Sequence, residues 1–368
     1  MSPRYLEFRA DRSTGLSNAR MGLEIGVGLA HLTRRMLVPY DVKPLWQGSH
    51  PVVPTEGRRN GATILDLYEV PVPTLPESER AGIAGLGVRE LDWPDLFACV
   101  FRHPDAGPAD DARFAAFRNG RPTVVGFSEQ DDAAPVLRFA NRSLSLYSYF
   151  FYLPDDLRVE LRRTIARVRP REPYRRLGED IAAAFGDFNA VHIRRGDFMK
   201  IYYKDAAMTP RAIVENLSGV IPTGEPLLIC TDASEDTEFF APILAAYPKA
   251  VMIEQFVLRE PTWRARLRDL PFNGDAALAL VSQIVAGRAR VFAGSLYSTF
   301  TAMIHRERGL RAGDDPFLFV FNPLGEGVPF RDGAFAERPE GIFTWNRFPY
   351  ARSSESYAWF REWPEAFR

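Results

Sequence analysis

An apolar run at residues 188–191 passes directly into a charged segment that contains His192, Arg194 and Arg195, followed by a glycine. Such a run predicts a β-strand that ends at a loop. In open α/β sheets, ligands bind at the carboxyl ends of the strands. Arginine suits phosphate because its planar guanidinium can donate two hydrogen bonds at once. The segment therefore predicts an α/β protein that holds a phosphorylated or nucleotide ligand with Arg194.

The start of the chain has a pattern of the same kind. Residues 5–8 predict a strand, and residues 13–18 form a loop with a glycine and small polar residues. Residues 19–35 predict a helix, because apolar side chains recur there at helical spacing, and residues 36–39 predict a second strand. Strand, glycine loop, helix and strand in this order are typical of a parallel α/β domain.

The second half of the chain alternates again and predicts a second parallel α/β domain. Its predicted strands are 191–194, 227–231, 250–254 and 291–293, and its predicted helices are 210–220, 235–247, 275–286 and 298–307.

The predicted boundary between these domains is a turn with two prolines at 169–173, flanked by helices at 157–168 and 177–185. The predicted domains are therefore 1–170 and 171–335, with an aromatic tail at 336–368 that packs back across both. Residues 41–135 are rich in proline and predict an irregular insertion with short strands at 63–68 and 123–127. The aromatic stretch 144–153 is expected to pack against the core.

Bulk properties exclude several classes of protein. The 368 residues suggest about two domains, and a net charge of −1 gives no support to nucleic-acid binding. Two cysteines, Cys99 and Cys230, make neither a disulfide framework nor a metal-binding CxxC pair, and they favour a reducing compartment. No secretory signal and no apolar run of about 18 residues is present, so no membrane span is predicted. We expect a cytoplasmic protein.

Three further segments carry candidate ligand contacts, each with a plainer alternative. Backbone groups of the loop around Gly15 and Asn18 could face an anion at a helix start, or Ser17 or Asn18 could simply cap that helix. Ser298 and Thr299 could bind phosphate or could form a plain helix cap. Thr231 and Asp232 end a strand and could touch a base or a ribose. Asp232 and Asp236 could together suggest a metal, but an acidic first helical turn is favoured.

His192 could be a buried strand histidine, and beside two arginines a neutral hydrogen-bonding role is favoured over acid catalysis. Strand alternation places His192 and Arg194 on one face and Arg195 on the other. Arg195 and Asp197 are therefore expected to support Arg194 from behind, with Asp197 as a candidate ion-pair partner for one of the arginines.

Three segments in order resemble the superfamily of fucosyltransferases that use GDP-fucose, which includes protein O-fucosyltransferases and α1,6- and α1,2-fucosyltransferases. Residues 13–20 are similar to its N-terminal glycine–asparagine loop. Residues 192–198 resemble its HxR motif, in the HxRRGD form. Residues 292–308, with Ser298-Thr299-Phe300-Thr301, most resemble the protein O-fucosyltransferases. These motifs cover roughly 60 residues.

The resemblance implies a GT-B fold, with two Rossmann-like domains that face a central cleft. It implies an inverting transferase that takes fucose from GDP-fucose as co-substrate and needs no cofactor or metal. Arg194 would stabilise the leaving GDP, and His192 would touch the nucleotide. Ser298, Thr299 and Phe300 would hold the phosphates, and Asn18 with neighbouring backbone would face the sugar and diphosphate.

Two positions depart from the family pattern. The family has an aspartate that reads guanine about sixteen residues before the phosphate-binding serines, where this chain has Ser282 and Gln283. Gln283, or Asp275 two helical turns earlier, is the candidate substitute. The chain also has Thr14 where some relatives have a glutamate before the glycine. No catalytic base is assigned; Asp11, Glu24 and Asp41 are candidates by proximity in sequence, and the acceptor could be a peptide, a glycan or a small molecule.

Overall fold

A computed structural model of the chain describes most of its residues in two compact units, and the chain passes from the first to the second between Arg171 and Glu172. The described residues are 2–8, 15–39, 63–91, 99–103, 105, 123–139, 150–196, 209–272, 274–295, 298–312, 318–321 and 342–344.

The first unit is built on a four-stranded parallel sheet in the order β2-β1-β7-β4. Leu6 and Phe8 of the central strand are fully buried, and helix α1 packs on the sheet. The parallel α/β pattern predicted for the first half is therefore confirmed. The strands are β1 (Tyr5–Phe8), β2 (Met36–Val38), β4 (Val88–Leu91) and β7 (Val136–Phe139), and α1 is Leu16–Leu32.

The bounds predicted for α1 are wrong at both ends. The helix begins at Leu16, directly after Gly15, whose extended backbone forms the cap without a side-chain hydrogen bond. Ser17 and Asn18 therefore lie within the first turn and do not cap it. At the other end, Arg34 takes a left-handed φ of 52° and turns the chain towards β2. Arg35 leaves the helix because its guanidinium donates to the main-chain carbonyls of residues 131, 132 and 134.

The remaining elements of the first unit include one correction. Residues 63–68 were expected to form a strand, but Ile64–Asp66 form a 3₁₀ helix, because the Asp66 carboxylate accepts the Thr63 N–H at 2.6 Å. A second 3₁₀ helix covers Glu77–Ile83. The strand expected at 123–127 is confirmed as β6. The other elements are β3 (Tyr68–Glu69), β5 (Cys99–Arg102), β6 (Thr123–Gly126), β8 (Phe150–Tyr152), β9 (Arg169–Pro170), α2 (Glu129–Ala133) and α3 (Asp155–Ile165).

These strands form two small sheets that the sequence did not predict. Strands β6, β5 and β8 form a parallel three-stranded sheet, and β3 pairs antiparallel with β9. The turn expected at 169–173 is therefore wrong: its first two residues are strand β9, and its next residues start a helix.

The second unit is built on a six-stranded sheet in the order β12-β11-β10-β13-β14-β15, parallel except for the last strand. Every residue of β10 and β11 is buried, as expected for parallel strands covered on both faces. The strands are β10 (Asn189–Ile193), β11 (Leu227–Thr231), β12 (Ala250–Met252), β13 (Phe292–Ser295), β14 (Leu318–Phe321) and β15 (Ile342–Thr344). The second α/β domain is confirmed.

Helices connect these strands: α4 (Glu172–Phe185), α5 (Pro210–Ser218), α6 (Thr237–Ala246), α7 (Ile253–Arg259), α8 (Pro261–Arg268), α9 (Asp275–Ala286) and α10 (Thr299–Ala312). The bounds predicted for β11 and α9 are confirmed. The strand predicted at 250–254 is too long, because helix α7 starts at Ile253 and takes Glu254 into its first turn. Helices α7 and α8 were not predicted.

Two predictions fall on residues that the structure does not describe. Within the aromatic tail at 336–368, the described residues are those of β15, which pairs antiparallel with β14. The packing of the tail across the domains lies outside the described residues, as does Asp197. In the described part of the chain, no helix is both long and apolar enough to cross a bilayer.

Candidate active site

The candidate site lies at the carboxyl edge of the second unit's sheet. From β10 the chain builds outward to β11 and β12, then returns to the other side of β10 with β13. In open α/β sheets, a reversal of strand order of this kind marks the crevice where ligands bind, and here it falls between β10 and β13. Arg194 follows β10 directly, and Ser298 and helix α10 follow β13. The tertiary structure thus brings the HxR segment and the Ser298–Phe300 segment to one crevice.

Helix α10 presents its N-terminus at this edge. Ser298 is buried just before the helix, and Thr299 and Phe300 lie in its first turn. The first turn of a helix carries N–H groups without intrahelical acceptors and the positive end of the helix dipole. This segment can therefore bind an anionic group, as expected for Ser298, Thr299 and Phe300.

His192 is a buried, neutral contact of this helix. The residue is 3% exposed. Its ring stacks on Phe300 with centroids 4.5 Å apart and hydrogen-bonds through Nδ1 to Thr301 Oγ1 at 2.8 Å. Burial, and then the charge of Arg194, lower the pKa of His192 from 6.5 to about 3. A neutral role therefore fits, and a role as general acid near neutral pH does not.

His192 is expected to make the folded protein less stable as pH falls. The unfolded chain takes up a proton near pH 6.5 that the folded chain refuses until about 3. The free energy of unfolding therefore falls by up to roughly 1.4 kcal/mol per pH unit across this window. Urea denaturation of wild type and His192→Asn, from about pH 7.5 to 5, measures the difference.

The wild type should lose more stability on acidification than the variant does. Glu254 titrates with the opposite slope, but it is common to both proteins and cancels in the comparison. Equal slopes in the two proteins would mean that folded His192 is readily protonated.

Arg194 is the first residue after β10 and is half-buried. The main-chain N–H of Arg194 donates to Ser295 Oγ at 2.9 Å, and Ser295 Oγ donates to the His192 carbonyl at 3.1 Å. These two hydrogen bonds connect the end of β13 to the end of β10. The Arg194 guanidinium lies 3.2 Å from a carboxylate oxygen of Asp232. Sequence reasoning missed Ser295 and Thr301; each is a buried polar residue at the end of an apolar strand or at a helix start, which was the available signal.

Arg195 points to helix α6 instead. Its guanidinium stacks 3.4 Å above the Phe239 ring and pairs with Asp236 at 2.8 Å. Asp236 also caps α6 by accepting the Phe239 N–H, which agrees with an acidic helix start rather than a metal ligand. The described residues contain no group of three or more His, Cys, Asp or Glu side chains suited to a metal. Support for Arg194 from Arg195 remains a prediction.

Asp232 was expected to touch a base or a ribose. Within the described residues it faces the start of the loop after β10, residues 194–196, which we call the arginine loop. One carboxylate oxygen accepts the Arg195 N–H at 2.8 Å, and the other lies beside the Arg194 guanidinium. A contact from Asp232 to a nucleoside remains a prediction.

Glu254 is a carboxyl group that sequence reasoning missed at this edge. Burial raises its pKa to about 8, and the charges of Asp232 and Glu235 add to that effect. Its Oε2 is buried without a hydrogen-bond partner among the described residues. Burial, with the neighbouring Glu254, also raises the pKa of the Cys230 thiol, so Cys230 is an unreactive core residue.

The predicted guanine contact on α9 is deeply placed. Gln283 is 5% exposed, and the neighbouring Ser282 is also buried and donates to the Leu278 carbonyl. Asp275, the alternative, lies in the first turn of α9 and is half-buried. Both residues remain predicted guanine contacts, since neither Ser282 nor Gln283 carries a carboxylate.

In the first unit, Gly15 and Asn18 lie at the start of α1. Asn18 Oδ1 is buried without a hydrogen-bond partner among the described residues, so it keeps an acceptor to offer. Glu24 is 1% exposed and pairs with Arg20 at 2.9 Å, which excludes it as an accessible base. Asp11 and Asp41 lie outside the described residues.

The first unit also has a cavity of about 960 Å³, lined by residues from the end of α1 and the start of β2, such as Arg34 and Met36. It opens at the amino edge of the sheet. It is therefore not at the edge where ligands of such sheets bind.

Fold and site together define an α/β protein with a crevice suited to a phosphorylated ligand. No family model matches the chain. Among curated proteins, it is similar to GDP-fucose protein O-fucosyltransferase 2 of Pan troglodytes and of Homo sapiens, with 28% identity over 138 residues. The match covers 37% of this chain and 29% of the length of those relatives. It confirms the resemblance to GDP-fucose-dependent fucosyltransferases that the motifs predicted.

Two solved structures are also similar. A crystal structure of POFUT1 in complex with GDP has 15% identity, a TM-score of 0.45, and coverage of 84% of this chain and 96% of its own. A structure of NodZ α-1,6-fucosyltransferase co-crystallised with GDP has 12% identity, a TM-score of 0.47, and coverage of 89% and 97%. The α/β assignment rests on the strand order of this chain itself.

Proposed function

We propose that this protein is a fucosyltransferase that transfers fucose from GDP-fucose to an acceptor hydroxyl, with inversion and without a metal. The observation that carries the proposal is the contact between the HxR segment and the start of α10. His192 stacks on Phe300 and hydrogen-bonds to Thr301. Arg194 directly follows the end of the same strand, β10. The 138-residue match to a GDP-fucose protein O-fucosyltransferase supports the choice of donor and makes a protein hydroxyl the first acceptor to test. A cytoplasmic location belongs to the proposal.

In the proposed complex, the diphosphate lies at the start of α10. Ser298 and Thr299 donate hydroxyl and backbone hydrogen bonds to it, and the helix N-terminus adds a partial positive charge. Gly15 and Asn18 remain predicted donor contacts of the first unit, and Asn18 Oδ1 is buried there without a hydrogen-bond partner among the described residues. His192 lies against the nucleotide as a neutral ring.

Transfer breaks the bond between the fucose anomeric carbon and the β-phosphate oxygen. The acceptor oxygen attacks from the opposite face, so the anomeric centre inverts, and the acceptor hydroxyl releases its proton to solvent. The leaving GDP gains negative charge, and Arg194 offsets that charge. The positive charges of Arg194 and of the helix terminus take the place of a metal cation in this scheme, so turnover is expected to survive EDTA.

The nucleotide is tested by thermal stabilisation with GDP, UDP, ADP and CDP. GDP is expected to raise the Tm most, since a ligand that binds only the folded state stabilises it by mass action. A second candidate, the same reaction with another nucleotide sugar, is favoured by the lack of a carboxylate at Ser282 or Gln283. Stabilisation by UDP or ADP but not by GDP would select that candidate.

Turnover is tested by hydrolysis of GDP-fucose and by transfer to peptide and glycan acceptors. We expect GDP release with the purified protein, and transfer to at least one acceptor class. Tight GDP binding with no turnover on any acceptor would instead indicate a non-catalytic nucleotide-sugar-binding protein.

A further inference from the structure

The carboxylate of Asp232 binds the arginine loop at two points. Its Oδ1 accepts the Arg195 N–H at 2.8 Å, and its Oδ2 lies 3.2 Å from Arg194 Nη1. The side chain is 11% exposed. A single carboxylate at the end of β11 therefore holds both the main chain and a guanidinium of the loop after β10.

Gly196 shows how closely this carboxylate approaches the loop. A Cβ at Gly196 would lie 2.2 Å from Asp232 Oδ2, closer than non-bonded atoms can come. Gly196 does not have a left-handed φ, so space rather than backbone conformation requires glycine here. Any larger residue would have to displace the Asp232 carboxylate.

The two arginines are held by different partners. Arg195 is fixed on α6 by the Phe239 ring and by the Asp236 carboxylate, whereas Asp232 contacts the Arg194 guanidinium. An ion pair that is mostly buried restricts the directions its guanidinium can take. Asp232 therefore restrains the Arg194 guanidinium.

We infer that Asp232 is a positioning residue, which orients the Arg194 guanidinium towards the diphosphate leaving group. The inference rests on the proposed function for its kinetic consequence. Asp232 also partly neutralises the charge of Arg194 in the protein without donor. The Asp232 carboxylate therefore adds little to the affinity for GDP-fucose before the bond breaks. An interaction that acts mainly in the transition state changes kcat more than binding.

Asp232→Asn is the first variant, because the amide keeps an oxygen for the Arg195 N–H and loses the charge beside Arg194. We expect kcat to fall about tenfold to hundredfold, since small misplacement of a catalytic group costs this much, while the GDP Kd changes less than about threefold. Asp232→Ala also loses the main-chain contact and is expected to weaken both kcat and GDP binding.

A double-mutant cycle with Arg194→Ala separates positioning from a general structural role. If Asp232 acts through Arg194, Asp232→Asn causes little further loss of kcat once Arg194 is absent. Glu235→Gln is the matched control, because it removes an exposed carboxylate three residues away for which no side-chain hydrogen bond or ion pair is found among the described residues. An equal loss in both backgrounds, or a loss equal to that of the control, overturns the inference.

The orientation itself is measured without a donor substrate, by ¹⁵N NMR of arginine-labelled full-length protein. The Arg194 guanidinium signal is assigned by its absence from Arg194→Ala. It is expected to shift in Asp232→Asn and in Gly196→Ala, and to stay in place in Glu235→Gln. An unchanged signal in Asp232→Asn overturns the inference. A wild type without GDP-fucose turnover overturns the proposed function instead, and leaves this test valid.

Discussion

Arg194→Ala is expected to reduce kcat/KM for GDP-fucose by about a hundredfold to a thousandfold, because removing one preorganised donor to a developing oxyanion typically costs this much. The effect should lie mainly in kcat, since the charge on the leaving diphosphate grows only as the glycosidic bond breaks. Release of GDP, measured under single-turnover conditions, reports the chemical step directly.

Two further variants sharpen this prediction. Arg194→Lys keeps the charge but loses the planar fork, and it should retain an intermediate rate. Arg211→Ala removes an exposed arginine of α5 that pairs with Glu215, and it serves as the matched control. Full activity of Arg194→Ala would refute the role proposed for this arginine.

Gly294→Ala is expected to damage the site through packing alone. A Cβ at Gly294 would lie 2.3 Å from Thr301 Cγ2 and 2.5 Å from Thr301 Oγ1, and Thr301 is fully buried. Overpacking of this kind costs about 1–3 kcal/mol of unfolding free energy. Displacing Thr301 also breaks its hydrogen bond to His192, so GDP binding should weaken as well.

Urea denaturation and GDP titration measure the two effects of Gly294→Ala separately. Gly224→Ala is the control, because a Cβ there would meet no atom within 4 Å and its φ is not left-handed. The Gly294 prediction fails if the variant is as stable as the control and binds GDP as tightly as wild type.

Local pattern was sufficient for the bounds of two elements of the second unit. Strand β11 and helix α9 have the predicted bounds because continuous apolar residues leave few alternatives. The pattern failed where a contact elsewhere in the chain ends an element. Arg35 was expected in α1, but its bonds to the carbonyls of residues 131–134 draw it out of the helix.

The small sheets of the first unit were beyond sequence reasoning for a related reason. Strand β9 has two residues, and its pairing with β3 joins positions about a hundred residues apart. Nothing local distinguishes Arg169–Pro170 from a turn, because the pairing partner supplies the hydrogen bonds. The irregular region at 41–135 therefore yielded one confirmed strand, β6, and one wrong one, at 63–68.

For the site, the residue pattern determined which groups stand at strand ends: His192, Arg194, Asp232 and Ser298 are polar residues where apolar strands stop. The tertiary structure decided which of them meet. Parallel neighbours β10 and β11 bring their carboxyl ends together, so Asp232 reaches Arg194 across 38 positions of sequence and holds it. Burial, which no local pattern measures, decided that His192 stays neutral and that Glu254 holds its proton near neutral pH. The sequence was therefore sufficient to identify Arg194 as the candidate residue. The packing of adjacent strands decided which carboxylate contacts its guanidinium, because charges separated along the chain interact only after the sheet has formed.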